Sequence, residues 1–133
     1  LFPHRYEDIN AYEKHLTRNG NLVLKFFLHI SADEQRKRFL RRLERPEKNW
    51  KFSLSDLEER RYWDDYQDAF ESMMRHTSTV YAPWYCVPMN NKWFGRLVVT
   101  KTIIERLNAL GLSYPQLSDA QLQALEKGRE MLA

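Results

Sequence analysis

The stretch that decides the fold is residues 22–46, LVLKFFLHISADEQRKRFLRRLERP. Its first part, residues 22–30, is nearly continuous in apolar side chains, which is typical of a strand buried on both faces of a parallel sheet. Lys25 and His29 interrupt the run on the same side of that strand. We expect Lys25 to lie near an end or edge of the sheet with its ammonium group in solvent, and His29 to be a packing residue.

The second part of the stretch predicts a helix. Ser31 can cap its first turn, which holds Asp33 and Glu34, and Pro46 ends it. A strand that leads directly into a helix is the beginning of an α/β unit.

This helix has a basic face. At 100° per residue, Arg38, Arg42 and Arg45 fall within about 60° of one another. The apolar residues occupy the other side: Phe39, Leu40 and Leu43. Guanidinium groups at these spacings project toward one strip of space, which Lys48 and Lys51 could extend along a long anion.

The charge of the chain is concentrated in this region. Residues 35–51 hold eight Lys and Arg residues against two Glu residues, a charge of +6, whereas the remaining residues hold 13 cations and 16 anions. A local site for a polyanion is therefore expected, although a solvated helix face is the simpler alternative. A helix that binds nucleic acid would look much the same.

Patterns elsewhere predict five more elements. They are a helix over about residues 6–18, a helix from a Ser55–Glu58 capping box to about His76, a strand over 82–89, a helix over 92–110 and a terminal helix opened by Ser118 and Gln121. The order is that of an α/β layered fold. Two strands are too few for a covered parallel sheet, so they should be part of a larger one.

Composition excludes several classes of protein. An apolar share of 43% is too high for a disordered chain, no run is long enough to span a bilayer, and the start, LFPHRYEDINAYEK, lacks the pattern of a secretory leader. We expect a cytosolic protein that does not bind membranes. Cys86 has no cysteine partner, and the four histidines lack the short spacings of a structural zinc site. The four scattered glycines form no phosphate-binding loop.

The amino-acid sequences of several segments are more specific than their charge. Residues 26–66, FFLHISADEQRKRFLRRLERPEKNWKFSLSDLEERRYWDDY, together with TSTVYAPWYCVP (77–88), NKWFGR (91–96) and YPQL (114–117), closely resemble the polyphosphate kinase 2 family. Members of that family transfer phosphate between inorganic polyphosphate and nucleotides. The resemblance covers about residues 6–114.

The resemblance implies a P-loop-kinase-like, three-layer α/β sandwich with a parallel sheet. This chain would be its C-terminal half, with a helical lid over about residues 32–76 and a terminal helix over about 119–132. The implied partners are inorganic polyphosphate and an AMP, ADP or GDP-type nucleotide, with Mg2+ bridging phosphate oxygens. A homo-oligomer in the cytoplasm is expected.

Charge and resemblance together select the candidate site residues. Arg38, Arg42 and Arg60 are the expected catalytic residues. Further cations are expected to bind polyphosphate or nucleotide phosphates: Arg45, Lys48, Lys51, Lys92 and Arg96. For each residue, a surface charge or a structural ion pair is the alternative, and no metal ligand is expected in this chain.

The sequence also departs from the family pattern. Relatives carry an upstream phosphate-binding loop with a lysine and an aspartate, and a later Asp-Arg pair, and neither is found here. Asn90 and Asn91 stand where relatives often have an acidic residue, which leaves open any polar contact at that turn. We therefore expect these residues alone to be inactive. The alternatives are the C-terminal half of another P-loop nucleotide or nucleoside kinase, and a non-catalytic module that binds nucleic acid.

Overall fold

The computed structural model describes residues 2–133, with side chains from residue 4 onward. The N-terminal segment that was compared with a secretory leader begins at Leu1, which lies outside the described residues. The elements in chain order are α1 (Phe2–Arg18), β1 (Lys25–His29), α2 (Ala32–Glu44), a 3-10 helix (Pro46–Lys51), α3 (Leu54–Glu59), a short 3-10 turn (Arg60–Tyr62), α4 (Trp63–Thr77), β2 (Trp84–Pro88), α5 (Lys92–Asn108) and α6 (Asp119–Leu132). Two compact units are present, Leu1–Ile103 and Ile104–Ala133, and their boundary falls within α5.

The two strands form a parallel pair, as predicted. The register runs from Lys25 opposite Trp84 to His29 opposite Pro88, and the N–H of Met89 extends it by donating to the carbonyl of His29 at 2.7 Å. Both predicted strands are therefore confirmed, and the α/β class with them.

The burial expected for β1 is wrong in this chain. The strand is shorter than predicted, and Leu28 and His29 are both exposed, with Leu28 at 49%. The sheet has only two strands in the described residues, so β1 has a neighbouring strand on one edge alone. His29 is consequently not enclosed by packing, although its ring lies 5.7 Å from that of Phe27.

Lys25 does not reach into solvent, which corrects the second expectation for β1. Its Nζ lies 2.7 Å from Oε2 of Glu13 and donates to the carbonyl of Thr77 at 2.6 Å. The side chains of Lys25 and Glu13 are each only 10% exposed. A carboxylate from α1 and a carbonyl at the end of α4 thus replace the lost hydration of the ammonium group, with the Trp84 ring 5.2 Å away.

Most predicted helix ends are confirmed. Oγ of Ser31 accepts a hydrogen bond from the N–H of Glu34 at 3.2 Å, and α2 ends just before Pro46. Gly20 follows α1 with a φ of +80°, a left-handed conformation that few other residues adopt readily. Ser118 and Gln121 form the predicted capping box of α6.

The capping box predicted at Ser55 and Glu58 is wrong. Ser53 caps α3 instead, because its Oγ accepts from the N–H of Ser55 at 3.3 Å. The predicted single helix is also divided by the 3-10 turn at Arg60–Tyr62. At that turn the Arg60 guanidinium donates to the carbonyl of Ala32 at 2.9 Å, a contact with α2 that fixes the chain where the helix changes.

The best-buried apolar residues lie in and beside β2. Val87 and Ala82 are fully buried, and on the other strand the ring of Phe27 packs against that of Phe70 from α4 at 5.0 Å. The predicted apolar side of α2 is not buried, since Leu40 and Leu43 are exposed. Across residues 2–133, no helix combines the length and the apolar character that crossing a bilayer requires.

Candidate phosphate-binding site

The carboxyl ends of both strands meet the start of α2. Oδ1 of Asn90 accepts from the N–H of Ser31 at 2.9 Å, and Nδ2 of Asn90 donates to Oγ of Ser31 at 3.2 Å. The side chain at the Asn90–Asn91 turn therefore makes a defined polar contact, although it is an amide and not an acid. This edge is where ligands of open parallel sheets bind.

Arg38 is fixed at the same edge. Its Nε donates to Oε1 of Glu34 at 2.8 Å, and a terminal guanidinium nitrogen donates to the carbonyl of Met89. Arg41 lies 3.3 Å from the same carboxylate oxygen. The hydrogen bond from Arg38 is the main reason why the pKa of Glu34 is below its usual value, so this carboxylate stays charged at neutral pH.

Lys92, the first residue of α5, shows that further positive charges gather here. Its pKa is lowered first by the charge of Arg38, and then by desolvation and by the charges of Arg41, Arg96 and Lys48. We call these five residues the cation cluster: Arg38, Arg41, Lys48, Lys92 and Arg96. Among the described side chains, Lys48, Lys92 and Arg96 have no carboxylate partner, so the cluster carries a net positive charge beside the sheet edge.

The structure therefore brings together four of the predicted cations, Arg38, Lys48, Lys92 and Arg96. Sequence reasoning missed Arg41, which joins them from the next turn of α2. The signal was present, because Arg41 follows Arg38 by three residues and adjacent turns of a helix share a face.

Arg42 and Arg60 line a neighbouring cleft of about 520 Å3 between β1, α2, α3 and α4. The Arg42 guanidinium lies 3.9 Å from Oδ2 of Asp56, a long ion pair, and 5.3 Å from the centre of the Phe39 ring. Arg38 lines the same cleft, so the cleft and the cation cluster are continuous.

Arg60 has a different environment. Its guanidinium donates to the carbonyl of Ala32 and, at 2.6 Å, to Oε1 of Gln35, and it lies 5.8 Å from the centre of the Trp63 ring. These contacts hold the corner between α3 and α4 against the start of α2. These hydrogen bonds suit a residue that positions the elements around it. Arg60 also lines the cleft, and its catalytic role stays a prediction.

The last two predicted cations, Lys51 and Arg45, belong neither to the cleft lining nor to the cation cluster. Lys51 is exposed with its Nζ 4.7 Å from the centre of the Trp50 ring, and Arg45 is exposed between α2 and the 3-10 helix. Neither lines the cleft, and neither contributes to the electrostatic environment of Lys92.

Within the described part of the chain, no three His, Cys, Asp or Glu side chains are placed to hold a metal ion. The two carboxylates that line the cleft already have partners. Asp56 lies near Arg42, and Glu59 accepts a hydrogen bond from the hydroxyl of Tyr66 at 2.6 Å. These residues do not fit a magnesium site of their own.

Comparisons of this chain with family models, curated proteins and solved structures agree with one another. The model of the family Polyphosphate kinase 2 matches residues 2–113. An ADP-polyphosphate phosphotransferase of Rhodopseudomonas palustris is 51% identical over 96% of this chain and 44% of its own length. A protein of Leptolyngbya boryana, described as an uncharacterized protein in the chlN 3′ region, is 48% identical over 99% of this chain and 97% of its own length.

The fold agrees with these relatives. The crystal structure of polyphosphate kinase 2 from Arthrobacter aurescens TC1 superposes with a TM-score of 0.84 at 43% identity, over 95% of this chain and 46% of that one. This chain thus spans less than half the length of the Rhodopseudomonas and Arthrobacter proteins. The resemblance found in the sequence is confirmed, and so is the P-loop-kinase-like α/β fold. The chain belongs to the polyphosphate kinase 2 family.

Proposed function

We propose that this chain takes part in phosphate transfer between inorganic polyphosphate and a nucleoside mono- or diphosphate, and that it binds the polyphosphate through the cation cluster. The observation that carries the proposal is geometric: Arg38 is held at the carboxyl ends of the strands by Glu34 and the carbonyl of Met89, and Arg41 lies beside the same carboxylate. The lowered pKa of Lys92 agrees with this placement, because its largest cause is repulsion by the charge of Arg38. A polyanion laid across these groups would relieve that repulsion. Phosphoryl transfer depends chiefly on such positioning and charge stabilisation.

The segment over about residues 32–76 is the proposed lid. In support, α2 contributes Arg38 and Arg41 to the cation cluster and the following 3-10 helix contributes Lys48. The apolar residues Leu40 and Leu43 are exposed, so that side of α2 is available to pack against another surface when the lid closes.

The phosphate-binding loop is proposed to come from residues other than these 133. The support is that the relatives named as phosphotransferase and kinase are more than twice as long as their match to this chain. Mg2+ would arrive on the phosphate oxygens of the substrates. A cytoplasmic location and assembly into a homo-oligomer stay predictions.

A reconstitution experiment tests this proposal. The chain is incubated with long-chain polyphosphate, Mg2+ and AMP or ADP, alone and with a second polypeptide comprising the unmatched residues of the Rhodopseudomonas relative. We expect ADP or ATP to form only in the mixture. Robust turnover by the chain alone would contradict the proposal that the phosphate-binding loop comes from residues other than these 133.

The same assay addresses the nucleic-acid alternative. That alternative predicts that an oligonucleotide displaces polyphosphate from the chain and that no mixture transfers phosphate. Our proposal predicts transfer in the mixture, with polyphosphate retained in the presence of oligonucleotide.

A further inference from the structure

We propose that Asn49 is a positioning residue, whose side-chain amide holds the 3-10 helix (Pro46–Lys51) against the end of α2 and thereby places Lys48 in the cation cluster. This inference rests on the proposed function, because it names the contact that prepares one cation of the polyphosphate site. Three observations support it: the hydrogen bonds of Asn49, the few other attachments of the 3-10 helix, and the partial burial of Lys48.

The end of α2 presents carbonyl groups that need donors. The last four carbonyls of an α-helix have no partner within the helix, and in α2 they include those of Arg42 and Leu43. Nδ2 of Asn49 donates to the carbonyl of Arg42 at 2.8 Å and to that of Leu43 at 2.9 Å. A primary amide carries two N–H donors on one nitrogen, so this single side chain can satisfy both carbonyls.

Within the described residues, the 3-10 helix has few other attachments. Pro46 begins it without an N–H donor. The N–H of Lys48 donates to the carbonyl of Arg45 at 2.8 Å, and the N–H of Phe52 donates to that of Asn49 at 2.9 Å, so these bonds stay inside the segment. Asn49 is the residue of the 3-10 helix whose described side chain hydrogen-bonds to a neighbouring element. Loss of its amide would therefore release the segment from α2.

Lys48 is the residue of this segment that is turned inward. It is half-buried, whereas the other five residues of the 3-10 helix are exposed, with Trp50 at 78%. Its charge lies near enough to Lys92 to contribute to the lowered pKa of that amine. Because the lysine side chain is a flexible four-carbon chain, the place of its ammonium group depends on where the backbone is held. Asn49, the next residue, holds that backbone.

Affinity measurements on a matched pair of asparagine variants test the inference. Asn49→Ala removes the amide without changing the charge of the chain, and should weaken the binding of long-chain polyphosphate about fivefold at constant salt. Asn21→Ala is the control, because Nδ2 of Asn21 donates in the same way to the carbonyl of Leu16 at 3.1 Å, near the end of α1. Asn21 precedes β1, at the end of the strands opposite to the cation cluster, so the polyphosphate affinity should not change.

A cycle of double variants separates positioning from a general loss of structure. Lys48→Gln should weaken polyphosphate binding about tenfold. Adding Asn49→Ala to Lys48→Gln should weaken binding by less than about twofold more, because the amide acts through Lys48. A full fivefold loss in the Lys48→Gln background would show that Asn49 affects the site by another route, and would overturn the inference.

The titration of Lys92 provides a readout that does not depend on polyphosphate. Asn49→Ala should raise the pKa of Lys92 in a 13C titration of the lysine side chain, because the charge of Lys48 moves away from it. Asn21→Ala should leave that pKa unchanged. Asn49→Ser keeps one donor and should give smaller effects in the same directions, and it replaces Asn49→Ala if that variant does not fold.

The two readouts distinguish this inference from the proposed function. If the pKa of Lys92 is the same in Asn49→Ala as in the unmodified chain, the inference is overturned, and the proposed polyphosphate site still stands on Arg38 and Arg41. If that pKa rises but neither Asn49→Ala nor Lys48→Gln weakens polyphosphate binding, the placement of Lys48 by Asn49 is supported and the contact of Lys48 with polyphosphate is wrong.

Discussion

The side-chain oxygen of Asn90 accepts a hydrogen bond from the backbone N–H of Ser31 at 2.9 Å, across 59 positions of sequence. This bond joins the turn after β2 to the residue that caps α2. Since α2 carries Arg38 and Arg41, and α5 follows the turn with Lys92, Asn90 sets the position of both sides of the cation cluster.

Asn90→Ala should lower both stability and polyphosphate affinity. The free energy of unfolding, measured in urea, should fall by about 1 kcal/mol, because the N–H of Ser31 loses its side-chain partner. Asn91→Ala is the control, since the neighbouring side chain is exposed and makes no such bond. Equal effects of the two substitutions would show that Asn90 has no special role.

The buried pair of Lys25 and Glu13 should be far more important for stability than a surface pair. Lys25→Met leaves the Glu13 carboxylate buried without its partner, at a cost of about 3 kcal/mol in unfolding free energy. Arg75→Met, which breaks an exposed pair with Glu71, should cost less than about 1 kcal/mol. Similar losses in urea denaturation would refute this ranking.

The pKa of Lys92 should rise when its neighbours lose charge. In the free chain, repulsion destabilises the charged amine, so folding stability increases as pH rises from the lowered pKa toward the usual lysine value of about 10.4. Arg38→Gln should raise this pKa in a 13C titration of the lysine side chain. Arg45→Gln should not, because Arg45 does not contribute to the shift.

Polyphosphate should raise the pKa of Lys92 in the same way. Binding should therefore take up protons at pH values between the pKa of the free chain and that of the complex. Calorimetry in buffers of different ionisation enthalpy measures this uptake. Proton release in that range would contradict a contact between Lys92 and the polyanion.

Gly95 should be intolerant of larger residues. A Cβ atom at this position of α5 would overlap Sδ of Met89 and lie 3.1 Å from the carbonyl oxygen of Pro88. Gly95→Val should cost about 1–3 kcal/mol from overpacking, measured by thermal unfolding. Gly128→Val is the control, because nothing lies within 4 Å of a Cβ there, and unchanged stability of Gly95→Val would refute the close approach.

Local patterns were sufficient to predict most of the fold. The apolar run before Ser31, the proline after α2 and the glycines after α1 and α5 each act through their own backbone or immediate neighbours. Ser55 was wrongly predicted as the cap in place of Ser53 because both serines satisfy the pattern of a helix cap, and the sequence does not rank them. The break at residues 60–62 follows contacts with α2 that have no local signature.

Features that depend on distant residues could not be predicted in the same way. The partners of Lys25 are 12 and 52 positions away, so its burial as an ion pair was not visible in the strand pattern. For the site, the basic face of α2 was evident from helical spacing. The resemblance to the family selected Lys48, Lys92 and Arg96 as single residues. That they lie near the basic face of α2 depends on where the strands end in the fold, which the sequence pattern does not give.

The most direct test of the central claim is the affinity of long-chain polyphosphate for two double variants matched in residue type and spacing. Lys92→Gln with Arg96→Gln removes two charges from the cation cluster, whereas Lys14→Gln with Arg18→Gln removes two charges at the same spacing on α1. Titration calorimetry at constant salt should show at least tenfold weaker binding for the first variant and an affinity close to that of the unmodified chain for the second. Equal loss in both would show that polyphosphate responds only to net charge, and would contradict the account.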